Sequence, residues 1–316
     1  MRTFSRIRAT VVSTISIAAL FLAACSSINT APSGTQSATP TGDKPTVATT
    51  FTVLADIARN VAGEYLDIVS ITKEGAEIHG YEPTPGDIAK ASKARLVIDN
   101  GLGLELWFEK FIAEAAVPHI VASQGVPSIP IAEDAAQGHD NPHAWMSPTH
   151  VKTYVDNMAR AFADIDPEHA QAYRNNAETY KTKLDKVRTD LIDTLSVLPE
   201  NQRALVTCEG AFSYLAKDAG LTEKYLWAVN AENQATPGQI ASAIEFVKEH
   251  NIPAVFCEST VSDAPMQQVV DATDAQFGGV LYVDSLSDKN GPVPTYLDLI
   301  THDAQLIAHA LTGAKN

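Results

Sequence analysis

Apolar residues occur in two alternating patterns along this chain: short β-branched runs, and longer stretches in which they recur every three or four positions. The first pattern predicts buried strands and the second predicts amphipathic helices. Strands are expected over 46–54, 65–71 and 95–100, with shorter ones at 120–122 and 128–131. Helices are expected over 55–61, from Thr84-Pro85-Gly86-Asp87, over 101–116, and from Ser147-Pro148. Thr84 suits an N-cap and Pro85 the first helical turn. Asp166-Pro167 then opens a stretch without glycine or internal proline through Leu198. Its apolar stripe is Tyr173, Ala177, Tyr180, Leu184, Val187, Leu191, Leu195 and Leu198, and a helix of that length would span ~45 Å.

The rhythm resumes beyond this spine. Strands are expected over 205–208, 225–229, 254–257 and 280–283. Helices are expected after Glu209 through Ala219, from the Thr236-Pro237 cap to His250, from Ser262-Asp263-Ala264-Pro265, and over 296–311. Alternating strands and helices predict an α/β fold. The expected architecture is two lobes, 46–166 and 199–316, each a mainly parallel sheet flanked by helices. One long rigid helix, 167–198, joins them.

Residues 1–24 read as a signal peptide: Arg2, Arg6 and Arg8 precede an uncharged apolar run from Ala9 to Ala24. That run falls short of the ~20 apolar residues of a membrane span. Leu22-Ala23-Ala24-Cys25 resembles the bacterial lipoprotein signal, which implies that Cys25 becomes the lipidated first residue and inserts in the bilayer. Residues 26–45 are rich in Ser, Thr, Pro, Gly and Ala, so the segment 25–45 is expected to be a flexible tether.

Formal charge is −15; removing 1–24 takes three arginines and no acid from 23 basic and 38 acidic residues, leaving −18. Such a surface disfavours nucleic acid and attracts cations. Cys208 and Cys257 each end a strand-like run and each precede a glutamate, as equivalent positions on neighbouring parallel strands would. Adjacent strands lie ~4.8 Å apart, within the Cα separation of a disulfide. Two buried free thiols are the alternative.

Four metal-capable side chains sit in turn-like segments beyond expected strands: His79, His143, Glu209 and Asp284. None is persuasive singly. His139 and His150 flank His143 as local competitors, while His169, His250, His302 and His309 fall on expected helices or their ends. As a set, two imidazoles and two carboxylates can close around one divalent cation, and the mixture suits Mn²⁺ or Fe²⁺ as well as Zn²⁺. With four positions supplied by protein, none is left to activate water, so capture is favoured over hydrolysis.

His79-Gly80-Tyr81-Glu82-Pro83-Thr84-Pro85-Gly86-Asp87-Ile88, Asn141-Pro142-His143-Ala144-Trp145, Glu209-Gly210-Ala211-Phe212-Ser213-Tyr214 and Asp284-Ser285-Leu286 occur in that order. Together they resemble the cluster A-I (cluster 9) solute-binding lipoproteins of bacterial ABC importers for manganese, zinc and iron. The resemblance implies two lobes on a rigid helix, with His79 and His143 as nitrogen ligands and Glu209 and Asp284 as oxygen ligands. It implies a monomer outside the cytoplasm that delivers its ion to a permease, and no enzyme. Zinc carriers commonly have His at the third position and a long His-rich loop before the second ligand. Glu209, and a 133–141 segment with His139 alone, point instead to Mn²⁺, with Zn²⁺ and Fe²⁺ as alternatives. Glu77-Ile78 stands where Asp-Pro is frequent. Two other classes compete: a surface adhesin, for which repeats or an extra domain would be evidence, and a metallohydrolase, with Glu82 or Glu258 as base.

Overall fold

The computed structural model describes residues 44–108, 117–133, 136–229 and 235–313. The signal segment, Cys25 and all but the last two tether positions lie outside them. No helix among the described residues is long and apolar enough to cross a membrane.

Strands β1 (Thr46–Thr49), β2 (Asp67–Ser70), β3 (Leu96–Asp99) and β4 (His119–Val121) form one parallel sheet in the order β2-β1-β3-β4. β1 is internal, and its consecutive residues Val47 and Ala48 are both fully buried, as expected of a parallel strand covered on both faces. The second half holds two parallel pairs: β5 (Ala204–Glu209) with β6 (Thr222–Trp227), and β7 (Ala254–Glu258) with β8 (Gln276–Leu281). Cys208 on β5 and Cys257 on β7 form a disulfide with a Cα separation of 4.8 Å, linking the two pairs. The expectation of neighbouring equivalent positions is met.

The spine is present in modified form. Pro167–His169 is a 3-10 turn, and the α-helix runs from Ala170 to Leu195, ~39 Å by helical rise. Its buried stripe of Tyr173, Ala177, Tyr180, Leu184, Leu191 and Leu195 packs on helices Thr52–Ala62 and Pro148–Ile165 of the first half and Tyr296–Thr312 of the second. Helix starts match their capping chemistry. Thr84 and Asp87 form a reciprocal capping box at Pro85–Lys93, as do Thr236 and Gln239 at Pro237–His250.

Five expectations need correction. The first strand stops at Thr49, and Thr52–Ala62 is helical, because Val53, Leu54, Ile57, Ala58 and Val61 are all buried along one helix. Burial on nearly every side of this helix, Thr52 to Ala58 without interruption, overrides the β-branched composition of 50–54. Residues 128–131 contribute one antiparallel bridge, Pro130 to Asp140, and no strand; Pro127 and Pro130 cannot donate to a ladder. β6 occupies 222–227 rather than 225–229, and β8 starts at Gln276, where Gly278 and Gly279 hid the strand pattern. Of the helix expected over 101–116, residues 106–108 are helical and the remainder from 109 lies outside the described residues.

Candidate metal centre

His79 lies in the loop after β2, and that loop folds around its own Glu77. One Glu77 oxygen accepts from His79 N–H at 2.8 Å and the other from Gly80 N–H at 2.9 Å. Glu77 thus performs the turn-forming role open to a short acidic residue. His143 sits at the start of a 3-10 turn, Ala144–Met146. Glu209 is the last residue of β5, and Asp284 comes three residues after β8.

His79, His143 and Asp284 each bring a ligand atom within 4.8 Å of the other two, and Glu209 approaches both imidazoles from one side. His79 Nε2 and His143 Nε2 lie 3.1 Å apart. Glu209 Oε1 is 3.7 Å from His79 Nε2 and 4.0 Å from His143 Nε2. Asp284 Oδ1 is 3.9 Å from both imidazole nitrogens. A tetrahedral cation with bonds near 2.1 Å separates its donors by about 3.4 Å, so His79, His143 and Asp284 fit around one ion with slack for longer bonds, and Glu209 stands beside the imidazoles. The side chains are 5% exposed at His79 and 0–2% at the other three. His139 is exposed, and His150 instead meets the Tyr214 ring edge-on with centroids 5.3 Å apart, so neither joins the cluster.

The electrostatics favour an added positive charge. Burial, reinforced by His79, holds the His143 imidazole well below its usual range, so it stays neutral. Burial pushes the Asp284 carboxyl up to about 6; His79 opposes that rise and Glu77 adds to it. Asp284 Oδ1 is buried without a hydrogen-bond partner, an arrangement that costs free energy unless something else meets the oxygen.

Sequence reasoning missed the groups that aim the candidate ligands. Asn141 Oδ1 accepts from His143 Nδ1–H at 2.9 Å and from His143 N–H at 3.0 Å. This assigns the ring proton to Nδ1 and leaves the Nε2 lone pair facing the cluster. Asn141 is itself held by the second half: its Nδ2 donates to Gly210 O at 2.7 Å and Ser213 Oγ at 3.1 Å, and its carbonyl accepts from Tyr214 O–H at 2.7 Å. Ser213 O–H donates onward to Glu223 Oε2 at 2.5 Å. Gly210 itself lies tight against the end of β6, where a Cβ would stand 2.6 Å from Ala228 O and 2.9 Å from the Tyr225 ring. Glu258, considered above only as a base, accepts from the Glu209 backbone N–H at 3.1 Å and braces β5 from β7. Asn141 and Glu258 stood beside residues already singled out, yet no periodicity marks either.

The two halves are also tied beside the cluster. Trp145 Nε1–H donates to Val283 O at 3.0 Å, Tyr296 O–H donates to Trp145 O at 2.5 Å, and Gly75 N–H donates to Ser285 Oγ at 2.6 Å. Comparison with known proteins places this architecture. The family described as "ZnuA: Zinc-uptake complex component A periplasmic" matches residues 47–310. The chain belongs to that family. It is 49% identical over 294 residues to the iron-binding protein YfeA of Yersinia pestis, covering 92% of this chain and 94% of that one. It is 31% identical over 303 residues to the manganese ABC transporter substrate-binding lipoprotein PsaA of Streptococcus pneumoniae, covering 93% and 96%. Among solved structures, the Mn-bound periplasmic metal binding protein from Candidatus Liberibacter asiaticus superposes with a TM-score of 0.79. It is 36% identical, with coverage of 85% of this chain and 100% of that one. Membership makes the chain a solute-binding component of metal uptake with the α/β fold expected above.

Proposed function

We propose that this protein captures Mn²⁺ between its lobes, with His79, His143, Glu209 and Asp284 as ligands, and delivers it to an ABC permease. The convergence of two imidazoles and two carboxylates into one buried cluster carries this reading. Mixed nitrogen and oxygen donors without thiolate suit a harder cation, and a carboxylate that swings to bidentate binding raises the coordination number beyond four. Zn²⁺ competes by affinity alone, since divalent affinities rise along the series from Mn²⁺. Ferrous iron is the second reading, favoured by the 49% identity to an iron-binding protein. The lobes would be 46–166 and 199–316 on the 167–198 helix, and the monomer would be held outside the cytoplasm by lipidated Cys25.

The test is an anaerobic titration of metal-free protein with Mn²⁺, followed by loss of the free-ion EPR signal, with Fe²⁺ and Zn²⁺ run separately. One tight Mn²⁺ equivalent, lost in Asp284→Ala, is the expected result. Retention of Fe²⁺ with weak Mn²⁺ binding selects the second reading. Failure to hold either ion, in protein that still holds one Zn²⁺, overturns both.

A further inference from the structure

Beside the turn that follows Asp284 lies a second concavity, of about 270 Å³, well above the ~10–15 Å³ that a single water needs. Its walls come from both halves: Arg59, Ser70, Thr72, Lys73 and Glu74 from the first, Ser287 from the second. The first-half residues occupy the end of helix Thr52–Ala62, the end of β2 and the loop after it. We propose that this cavity binds a small protonated oxyanion, hydrogen phosphate being the simplest case.

Three observations converge on that class. The cavity gathers two cationic side chains and four hydroxyls, of Thr52, Ser70, Thr72 and Ser287, and contains no aromatic ring, which is lining suited to a compact charged ligand. Arg59 Nη2 is committed to Ile68 O at 3.3 Å, which fixes one edge of the guanidinium and leaves its other N–H groups to serve as donors. Ser70 Oγ is buried and has no hydrogen-bond partner, although the hydroxyl both donates and accepts and burying it unpaired is costly. Glu74 sharpens the choice. An ionised carboxylate only accepts hydrogen bonds, so it repels a fully deprotonated oxyanion and receives the hydroxyl of a protonated one. Hydrogen phosphate carries that hydroxyl and sulfate does not.

The location links the site to the seam between the halves. Leu286 N–H donates to Thr52 Oγ1 at 3.0 Å, and the Thr52 and Ser285 hydroxyls lie 3.3 Å apart. An anion spanning Arg59, Lys73 and Ser287 adds further cross-links beside that pair, so it ties the two halves together at this seam.

The experiment is a calorimetric titration of the metal-free protein with inorganic phosphate, and separately with sulfate and with glycerol phosphate. One saturable equivalent of phosphate is expected, with sulfate weaker. Arg59→Gln and Lys73→Gln should each weaken it about tenfold or more, the scale of a lost charge-assisted hydrogen bond. Glycerol phosphate binding as tightly as phosphate assigns the site to a phosphomonoester head group; its exclusion assigns it to the free ion. Ser70→Ala removes an unpaired buried hydroxyl, so it should raise the melting temperature without ligand while weakening phosphate. No saturable binding of any probe, or phosphate binding unchanged in both cation variants, overturns the proposal. Circular dichroism confirms that the variants fold. The Mn²⁺ titration of the same variants should be unchanged, so failure here is separable from failure of the metal reading.

Discussion

The two halves contribute to the candidate centre by different means. In the first, a continuous four-stranded sheet lies well behind its histidines, which are carried on loops and aimed by hydrogen bonds: Glu77 shapes the His79 turn, and Asn141 turns His143. In the second, the carboxylates ride on or just past the strands themselves, on two strand pairs joined by the Cys208–Cys257 bridge and by Glu258 beneath Glu209. One half is positioned by polar contacts and the other by backbone and covalent constraint. The halves are not independent, because Asn141 of the first is gripped by Gly210 and Ser213 of the second. His143 therefore needs both halves in place.

The largest effect is expected from removing a candidate ligand on either side. His143→Ala and Glu209→Ala should each abolish retention of one metal equivalent after dialysis, measured by elemental analysis. Retention surviving one of them would show that a single half dominates the site. Next comes the covalent constraint. Replacing Cys208 and Cys257 by alanine opens a loop with a sequence separation of 49, worth about 4 kcal/mol by the chain-entropy estimate. Urea unfolding of the oxidised protein and the variant reads it directly. A difference below about 1 kcal/mol would mean that packing around β5 and β7, rather than the bridge, holds the second half together.

Smaller again is the aiming contact. Asn141→Ala leaves all four candidate ligands in place, and outer-shell losses typically cost 10–100-fold in metal affinity. Competition against a fluorescent chelator should show that loss for Asn141→Ala and a lesser one for Glu77→Ala, whose turn is local. Equal losses would erase the distinction between a loop held by the other half and one held by itself.

The smallest effect is that of pH on the metal-free protein. Burial, with Asp99 adding to it, pushes Glu105 of the first half up to about 8, and burial pushes Glu223 of the second up to about 7. Both values lie above the ordinary carboxylate range. The stability these groups contribute is therefore fully present below pH ~4.5 and is lost as pH rises through about 7 to 8. Melting temperature should fall between pH 6 and pH 9. Glu223→Gln, which still accepts from Ser213, should flatten part of that slope. An unchanged slope would place the pH dependence in other buried carboxyls, such as Glu105 or Glu258.

Much of this was legible in the sequence because it rests on local chemistry. The Thr84 and Thr236 caps, the stripe from Tyr173 to Leu195 and the cysteine positions ending two strands all depend on residues close in the chain or on periodicity. The four candidate ligands were legible as motifs in order. Where local reading failed, long-range packing had overridden it. Thr52–Ala62 is a helix because the core surrounds it on nearly every side, despite the β-branched residues at its start, and β8 forms through glycines that carry no strand signal. Asn141, Ser213 and Glu223 were invisible as a group because they are 72 and 10 residues apart in sequence.

By itself, then, the sequence determined the alternation of strands and helices, their caps, the spine and the identities of the four side chains able to hold a cation, since each follows from side-chain shape, hydrogen-bonding capacity and short-range periodicity. Only the tertiary structure decided that His79 and His143 meet at 3.1 Å, that Asn141 of one half is oriented by the other, and that a hydroxyl-lined cavity opens beside the Ser285 turn. Those outcomes depend on which surfaces remain complementary once the core is buried, and no local pattern encodes that complementarity.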